Sequence, residues 1–322
     1  MTELEQALEG VKNVVILGHI RPDGDCFGAC LGLYNYLDTA YPHIQVDLYL
    51  EEKLDKFSYM NHFDHIRTEK EERIYDLCIC LDASDIERLG DFAGYLVTSA
   101  NSVCLDHHIT NTGYAKVNLV EPSASATCEV LYGQMDEDKI TKEAAECIYT
   151  GIIHDTGVFK HGNTTSRTMA IAGKLMDKGI DFGGIIDGTF YKKTYIQNQI
   201  LGRALMESIR FLDGKCIFSV VRAKDMAFYG VTGQDFDGIV DQLRVTEGVE
   251  CAIFMYETGI HEFKISMRSN HCLDVSKIAQ YFGGGGHVRA AGCTMSGNLY
   301  DVINNLSLHI EKQLESTPCI TE

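Results

Sequence analysis

Asn13-Val14-Val15-Ile16-Leu17-Gly18-His19-Ile20-Arg21-Pro22-Asp23-Gly24-Asp25 decides how the chain is read. Five residues of strand-forming character end in a short loop that offers one imidazole and two carboxylates. Similar β-rich runs come later at Ile44–Leu50, Tyr75–Leu81 and Ser102–Leu105, and helical patterns fall at Gly28–Thr39, Ala126–Met135, Lys142–Ile153 and Ser166–Lys178. Gly179 reads as the C-cap of the last of these. Alternation of strands with helices predicts an α/β domain, a parallel sheet covered by helices on both faces.

The 322 residues exceed one core of roughly 100–200 residues, so two lobes are expected. The first is placed at 1–185, a helical connector at 186–212 and a smaller α+β lobe at 213–322. From Asp181 to Phe211 no strand is expected, and the next is Cys216–Val221. Further strands are read at Glu250–Tyr256 and Phe263–Arg268, helices at Phe236–Arg244 and Val275–Tyr281, and a glycine-rich turn at Gly283–Gly286.

A formal net charge of −18 constrains the partners. Long duplex nucleic acid demands a basic stripe, and the longest basic cluster is Lys192-Lys193. A nucleic-acid substrate is therefore short, or held through metal ions. Twelve cysteines lie scattered through apolar segments without zinc spacing, which suits reduced, mostly buried thiols and a cytoplasmic protein. Apolar runs such as Val14–Leu17 fall far short of the roughly 20 residues of a membrane span, and Met1–Gly10 does not read as a leader.

The arrangement at the end of the first strand recurs. Leu77–Leu81 delivers Asp82, Ser102–Leu105 delivers Asp106-His107-His108, and the apolar run Ile148–Ile153 delivers His154-Asp155. Singly, each has an ordinary reading: Asp23-Gly24 as turn residues, an Asp as a helix cap, a polar helix terminus. Asp85 stands ready as a cap for a helix starting at Ile86, which leaves Asp82 for other work. In open α/β sheets ligands bind at the carboxyl ends of the strands. Carboxylates clustered there repel one another unless a cation neutralises them. Oxygen ligands with imidazole favour Mn²⁺, with Mg²⁺ or Fe²⁺ as alternatives.

The set His19-x-x-x-Asp23-Gly24-Asp25, Asp82, Asp106-His107-His108 and Asp155 resembles the motifs of the DHH phosphoesterase superfamily in order and spacing. Ile265-Ser266-Met267-Arg268-Ser269-Asn270 and Phe282-Gly283-Gly284-Gly285-Gly286-His287-Val288-Arg289-Ala290-Ala291-Gly292 resemble the two substrate motifs of its DHH-associated C-terminal domain. The resemblance spans nearly the whole chain and is nearest to the stand-alone NrnA-type enzymes, which combine oligoribonuclease and pAp phosphatase activities. It implies two divalent metal ions, one held by His19, Asp23 and Asp82, the other by Asp25, Asp82, His107 and Asp155. It further implies that His108 faces the substrate phosphate with Asp106 behind the ligands. Arg88, Arg268, Ser269, Gly284, Gly285, Gly286 and His287 would contact substrate. One departure is Ala29 after Gly28, where the family commonly has Gly-Ser.

The reading is an Mn²⁺-dependent phosphodiesterase acting on short oligoribonucleotides and dinucleotides such as pApA, with 3′-phosphatase action on pAp. A cleft between lobes would measure the substrate, and a homodimer is an option since many relatives are dimers. The alternatives are a cyclic di-AMP phosphodiesterase and a non-catalytic nucleotide-binding regulator.

Overall fold

The computed structural model describes residues 1–316. Two compact units meet in the chain at Lys192 and Lys193. The first contains α1 (Glu3–Ala7), β1 (Asn13–Leu17), α2 (Gly24–Ala40), β2 (Gln45–Tyr49), β3 (Ile66–Arg67), β4 (Leu77–Leu81), α3 (Ala93–Thr98), β5 (Asn101–Asp106) and β6 (Val117–Val120), followed by α4 (Thr127–Tyr132), α5 (Lys142–Asp155), α6 (Ser166–Asp177) and α7 (Phe182–Ile186). Its six strands run in the order β3-β2-β1-β4-β5-β6. All pairs are parallel.

Alternate residues of each strand face opposite sides, and both sides are covered. Val14 and Ile16 of β1, Ile79 of β4 and Val103 of β5 pack under α2, α4 and α5. Val15, Leu17, Cys78, Cys80 and Cys104 pack on the other face with Tyr95 and Leu96 of α3. The strand order reverses between β1 and β4, so the loops after these two strands open the crevice where such sheets bind ligands.

α2 begins at Gly24, four residues before the sequence pattern suggests, because the Asp23 side chain accepts from the amides of Asp25 and Cys26 and caps the helix. Asp85 does cap a short helical turn, Ile86–Phe92, by accepting from the Arg88 amide. α2 and α5 approach closely at Gly28, where a Cβ would stand 2.6 Å from the Cys147 carbonyl oxygen and 2.7 Å from the Gly151 nitrogen.

The second unit contains α8 (Tyr195–Met206), β7 (Ile209–Phe211), β8 (Cys216–Val221), α9 (Ala223–Tyr229), α10 (Ile239–Arg244), β9 (Cys251–Gly259), β10 (Glu262–Ser269), α11 (Val275–Tyr281), β11 (Gly285–His287), β12 (Ala290–Ser296) and α12 (Leu299–Ser316). Its mixed sheet runs β11-β12-β10-β9-β8-β7, with β8 and β9 parallel and the other neighbours antiparallel. α11 and α12 cover one face, and α8 and α10 pack on the other.

Two sequence expectations are corrected. β7 lies inside the stretch expected to hold no strand. It forms because a turn of positive-φ residues, Leu212 to Gly214, folds it back onto β8. The glycine run is not a turn throughout: Gly285 and Gly286 pair with Gly292 and Ala291 as an edge strand. The segment expected as a connector is shared between the units, with 186–192 in the first and α8 in the second, where Ile200 and Ala204 join the core.

The α2–α5 contact makes a direct prediction. Gly28→Ala destabilises the protein by about 1–3 kcal/mol through backbone overpacking. Gly173→Ala, on α6 with open space at the Cβ position, stabilises it by about 0.4–1 kcal/mol. Urea unfolding of both variants against the parent measures the difference.

Candidate metal centre

Three strand ends and one helix end deliver the acidic and histidine groups to one place in the first unit. His19 follows β1, Asp82 follows β4, Asp106 ends β5 with His107 and His108 behind it, and Asp155 ends α5. Among the described residues, three groups of side chains could hold a metal ion: His19, Asp23 and Asp82; Asp82, His107 and His108; and Asp25, His107 and Asp155.

His107 belongs to two of these groups, and so does Asp82. Asp82 is buried, and its backbone adopts φ of 60°, an uncommon conformation for a side chain other than glycine. Its two carboxylate oxygens face different ways. Oδ2 is 3.4 Å from His19 Nε2, whereas Oδ1 is 3.8 Å from His107 Nε2 and 3.7 Å from His108 Nδ1. On the first side Asp23 Oδ1 stands 3.6 Å from the same His19 nitrogen, so the residue that caps α2 also faces the centre. On the second, His107 Nε2 lies 3.1 Å from Asp155 Oδ2.

Both imidazoles have a carbonyl behind them. His19 Nδ1 is 2.8 Å from the Ile20 oxygen and His107 Nδ1 is 3.3 Å from the Ala124 oxygen. A proton assigned to His107 Nδ1 donates to the Ala124 carbonyl and turns its Nε2 lone pair toward the carboxylates, the orientation a metal ligand needs, while His19 Nδ1 stands between an acceptor, the Ile20 oxygen, and a donor, Arg88 Nη2.

The charge is unbalanced. Burial, reinforced by Asp82 and Asp155, raises the Asp25 carboxyl well above the ordinary range. Burial opposes a charged His19, yet Asp23 and Asp82 push it up to about 12. Burial likewise opposes a charged His107, which Asp155 and Asp25 push up to about 10. Carboxylates this crowded recruit protons when no other cation neutralises them. The neighbouring thiols Cys26, Cys30 and Cys128 are pushed up by burial, which keeps them protonated. The available donors are therefore oxygen and imidazole, and the set fits a hard or borderline divalent cation.

Beside the ligand groups, Asp106 is fully buried and accepts from the His107 amide at 2.9 Å, from Asn111 Nδ2 at 2.6 Å and from His108 Nδ1 at 2.7 Å. Burial alone would raise it, but the hydrogen bonds from His108 and Asn111 hold it below the usual carboxylate range. The His108 bond in turn raises that imidazole, whose side chain is 40% exposed. Arg88 is half-buried, with Nη2 3.0 Å from His19 Nδ1, so it belongs to the centre's rim rather than to open solvent. His154 turns elsewhere, its ring packed between Phe57 and Phe190.

In the second unit, Arg268 lies with its Nε 3.3 Å from Asp241 and lines a cavity of about 270 Å³ together with Lys264, Ser266 and Tyr256. Ser269 is buried, and its hydroxyl donates to the Leu273 carbonyl at 2.7 Å. Gly284 is a packing requirement, since a Cβ there would stand 2.1 Å from the Gly292 oxygen. Gly285, Gly286 and His287 are exposed on the edge strand.

Sequence reasoning missed Asn111 and the segment Ala124–Cys128. The amides of Thr127 and Cys128 donate to Asp25, and the Thr127 hydroxyl donates to Asp82. The available signal was the run of small and hydroxyl residues Ser123-Ala124-Ser125-Ala126-Thr127 just before a helix.

The DHH family N-terminal domain matches residues 13–152 and the DHHA1 domain matches residues 213–316. The chain is 28% identical over 306 residues to the bifunctional oligoribonuclease and PAP phosphatase NrnA of Thermus thermophilus, covering 92% of this chain and 88% of that protein. It is 24% identical to the Bacillus subtilis protein of the same name, over 91% of this chain and 93% of the relative. A solved structure of an exopolyphosphatase-related protein from Bacteroides fragilis shares the fold, with a TM-score of 0.82 at 24% identity, over 96% of this chain and 94% of that one. The chain thus carries a DHH-family N-terminal domain followed by a DHHA1 domain.

Proposed function

We propose that this DHH-family phosphoesterase hydrolyses very short oligoribonucleotides, pApA included, to mononucleotides and removes the 3′-phosphate of pAp, using two divalent cations, with Mn²⁺ the first candidate. The observation that carries the reading is Asp82, whose two oxygens face two separate groups of ligand side chains. Relatives named for both activities support the substrate class.

His19, Asp23 and Asp82 would hold one cation, and Asp25, Asp82, His107 and Asp155 the other. Bound there, the cations supply Lewis acidity that lowers the pKa of water and stabilises the charge developing on phosphate oxygens. The chain's own residues do the rest. Water oxygen gives up a proton to solvent and forms a bond to phosphorus as the bond to the leaving oxygen breaks, and that leaving oxygen takes up a proton. His108, kept protonated by Asp106, presents its exposed ring to the phosphate as a hydrogen-bond donor and as the source of that proton. Arg88 offers a forked donor to the same anion. Within the second unit, Arg268 and the exposed edge Gly285–His287 would contact a nucleotide.

A net charge of −18 supports short substrates over long duplex nucleic acid. Among the described residues no helix is long and apolar enough to cross a membrane. Among the described residues ten cysteines are free and buried, as expected of reduced thiols, while Cys272 is disulfide-bonded.

A turnover assay with Mn²⁺ compares pApA, a short single-stranded RNA, pAp and cyclic di-AMP at equal concentration. Rapid release of mononucleotides from pApA and RNA is expected, with phosphate from pAp. Dominant cleavage of cyclic di-AMP would move the protein to cyclic dinucleotide turnover, and no turnover of any would make it a nucleotide binder.

Two substitutions separate the roles. Asp82→Ala is expected to remove bound Mn²⁺, read from the loss of its bound-state signal in electron paramagnetic resonance. His108→Ala keeps that signal and lowers kcat on pApA by about 10²–10⁴-fold, as loss of a general acid does.

A further inference from the structure

Residues 124–128 contact three ligand candidates: Asp25 in the first turn of α2, Asp82 after β4 and His107 after β5. The Thr127 amide donates to Asp25 Oδ2 at 2.6 Å and the Cys128 amide to Asp25 Oδ1 at 3.1 Å, so both oxygens of that carboxylate are oriented. The Ala124 carbonyl lies behind His107 Nδ1 at 3.3 Å. The Thr127 hydroxyl donates to Asp82 Oδ1 at 2.9 Å, on the oxygen that faces His107 and His108.

The segment is itself held from behind. Glu129, buried to 1% exposure, accepts from the Ser125 hydroxyl at 2.7 Å and from the Thr168 hydroxyl of α6 at 2.8 Å, with Arg167 Nε 3.3 Å from its other oxygen. Asn163 donates to the Ser125 carbonyl at 3.0 Å. A scaffold anchored this way resists displacement when charge accumulates in front of it.

Thr127 is fully buried, and its hydroxyl bonds to a carboxylate already crowded by other anions. An apolar valine of the same shape would fill the space without a polar group to satisfy. What the hydroxyl adds is direction: it fixes the plane of Asp82, so that Oδ2 faces His19 and Oδ1 faces the histidines after β5. We propose that Thr127 is a positioning residue of the metal centre, aligning Asp82 through its hydroxyl and Asp25 through its amide. This role rests on the assignment of the cluster as a two-cation centre.

Thr127→Val removes the hydroxyl and keeps the amide; Thr127→Ser keeps both. Isothermal titration of each metal-free protein with Mn²⁺, alongside its thermal unfolding, is the test. Thr127→Val is expected to bind Mn²⁺ about 10–100-fold more weakly, as loss of an outer hydrogen bond to a ligand does. Thr127→Ser should bind like the parent, and the metal-free thermal unfolding of Thr127→Val shows that the variant is folded. Should Thr127→Val not fold, Thr127→Ala carries the same expectation for the folded protein. Parent-like Mn²⁺ affinity in a folded variant lacking the hydroxyl overturns the proposal alone. A parent protein that binds no Mn²⁺ overturns the metal-centre assignment and the proposal with it.

Discussion

Electrostatic crowding around Asp82 is the constraint on which the site depends. Asp23, Asp25, Asp82 and Asp155 converge with His19 and His107 in a partly buried space. Mutual repulsion among carboxylates there is relieved only by positive charge, from protons on the imidazoles and on Asp25 or from bound cations. Burial raises Asp25 and the neighbouring carboxylates add to it, whereas His19 and His107 are raised by those carboxylates against burial. Asp82 adopts φ of 60°, and Thr127 ties its carboxylate in place. Backbone strain at such a position persists when the surroundings hold it.

The fold makes that convergence possible by placing independent loops at one edge. β1 and β4 are neighbours at the reversal of strand order, and β5 follows β4. Helix α5 carries Asp155 to the same edge because it packs tightly on α2, where Gly28 lets the two backbones meet. Asp23 links these levels, starting α2 as its cap while facing His19. A change in helix packing would therefore shift a ligand. In the second unit the glycine-rich segment does comparable double duty: Gly284 permits close packing on β12, while Gly285 to His287 stay exposed along the edge.

Groups placed by short-range rules were legible in the sequence. His19, Asp82 and the Asp106-His107-His108 run each follow a strand whose composition marks it, and a strand's end fixes which edge of a parallel sheet its loop occupies. Groups defined by distant partners were not. Thr127 matters through Asp25 and Asp82, 102 and 45 residues away, and no local pattern announces that contact. Asn111 is five residues from Asp106 but becomes significant only once the loop curls back on it. Ser269 sits in a motif that reads as substrate contact, yet strand alternation turns it inward with Phe263, Ile265 and Met267. β7 and β11 are three-residue strands, too short for a period-2 pattern to register, and exist because a longer neighbour pairs with them.

The central claim is that Asp82 joins two cation positions. Anomalous diffraction at the manganese edge, from crystals grown with Mn²⁺, tests it most directly. The account predicts two peaks, one among His19, Asp23 and Asp82 and the other among Asp25, Asp82, His107 and Asp155. A single peak, or peaks that leave Asp82 without a contact, would contradict it.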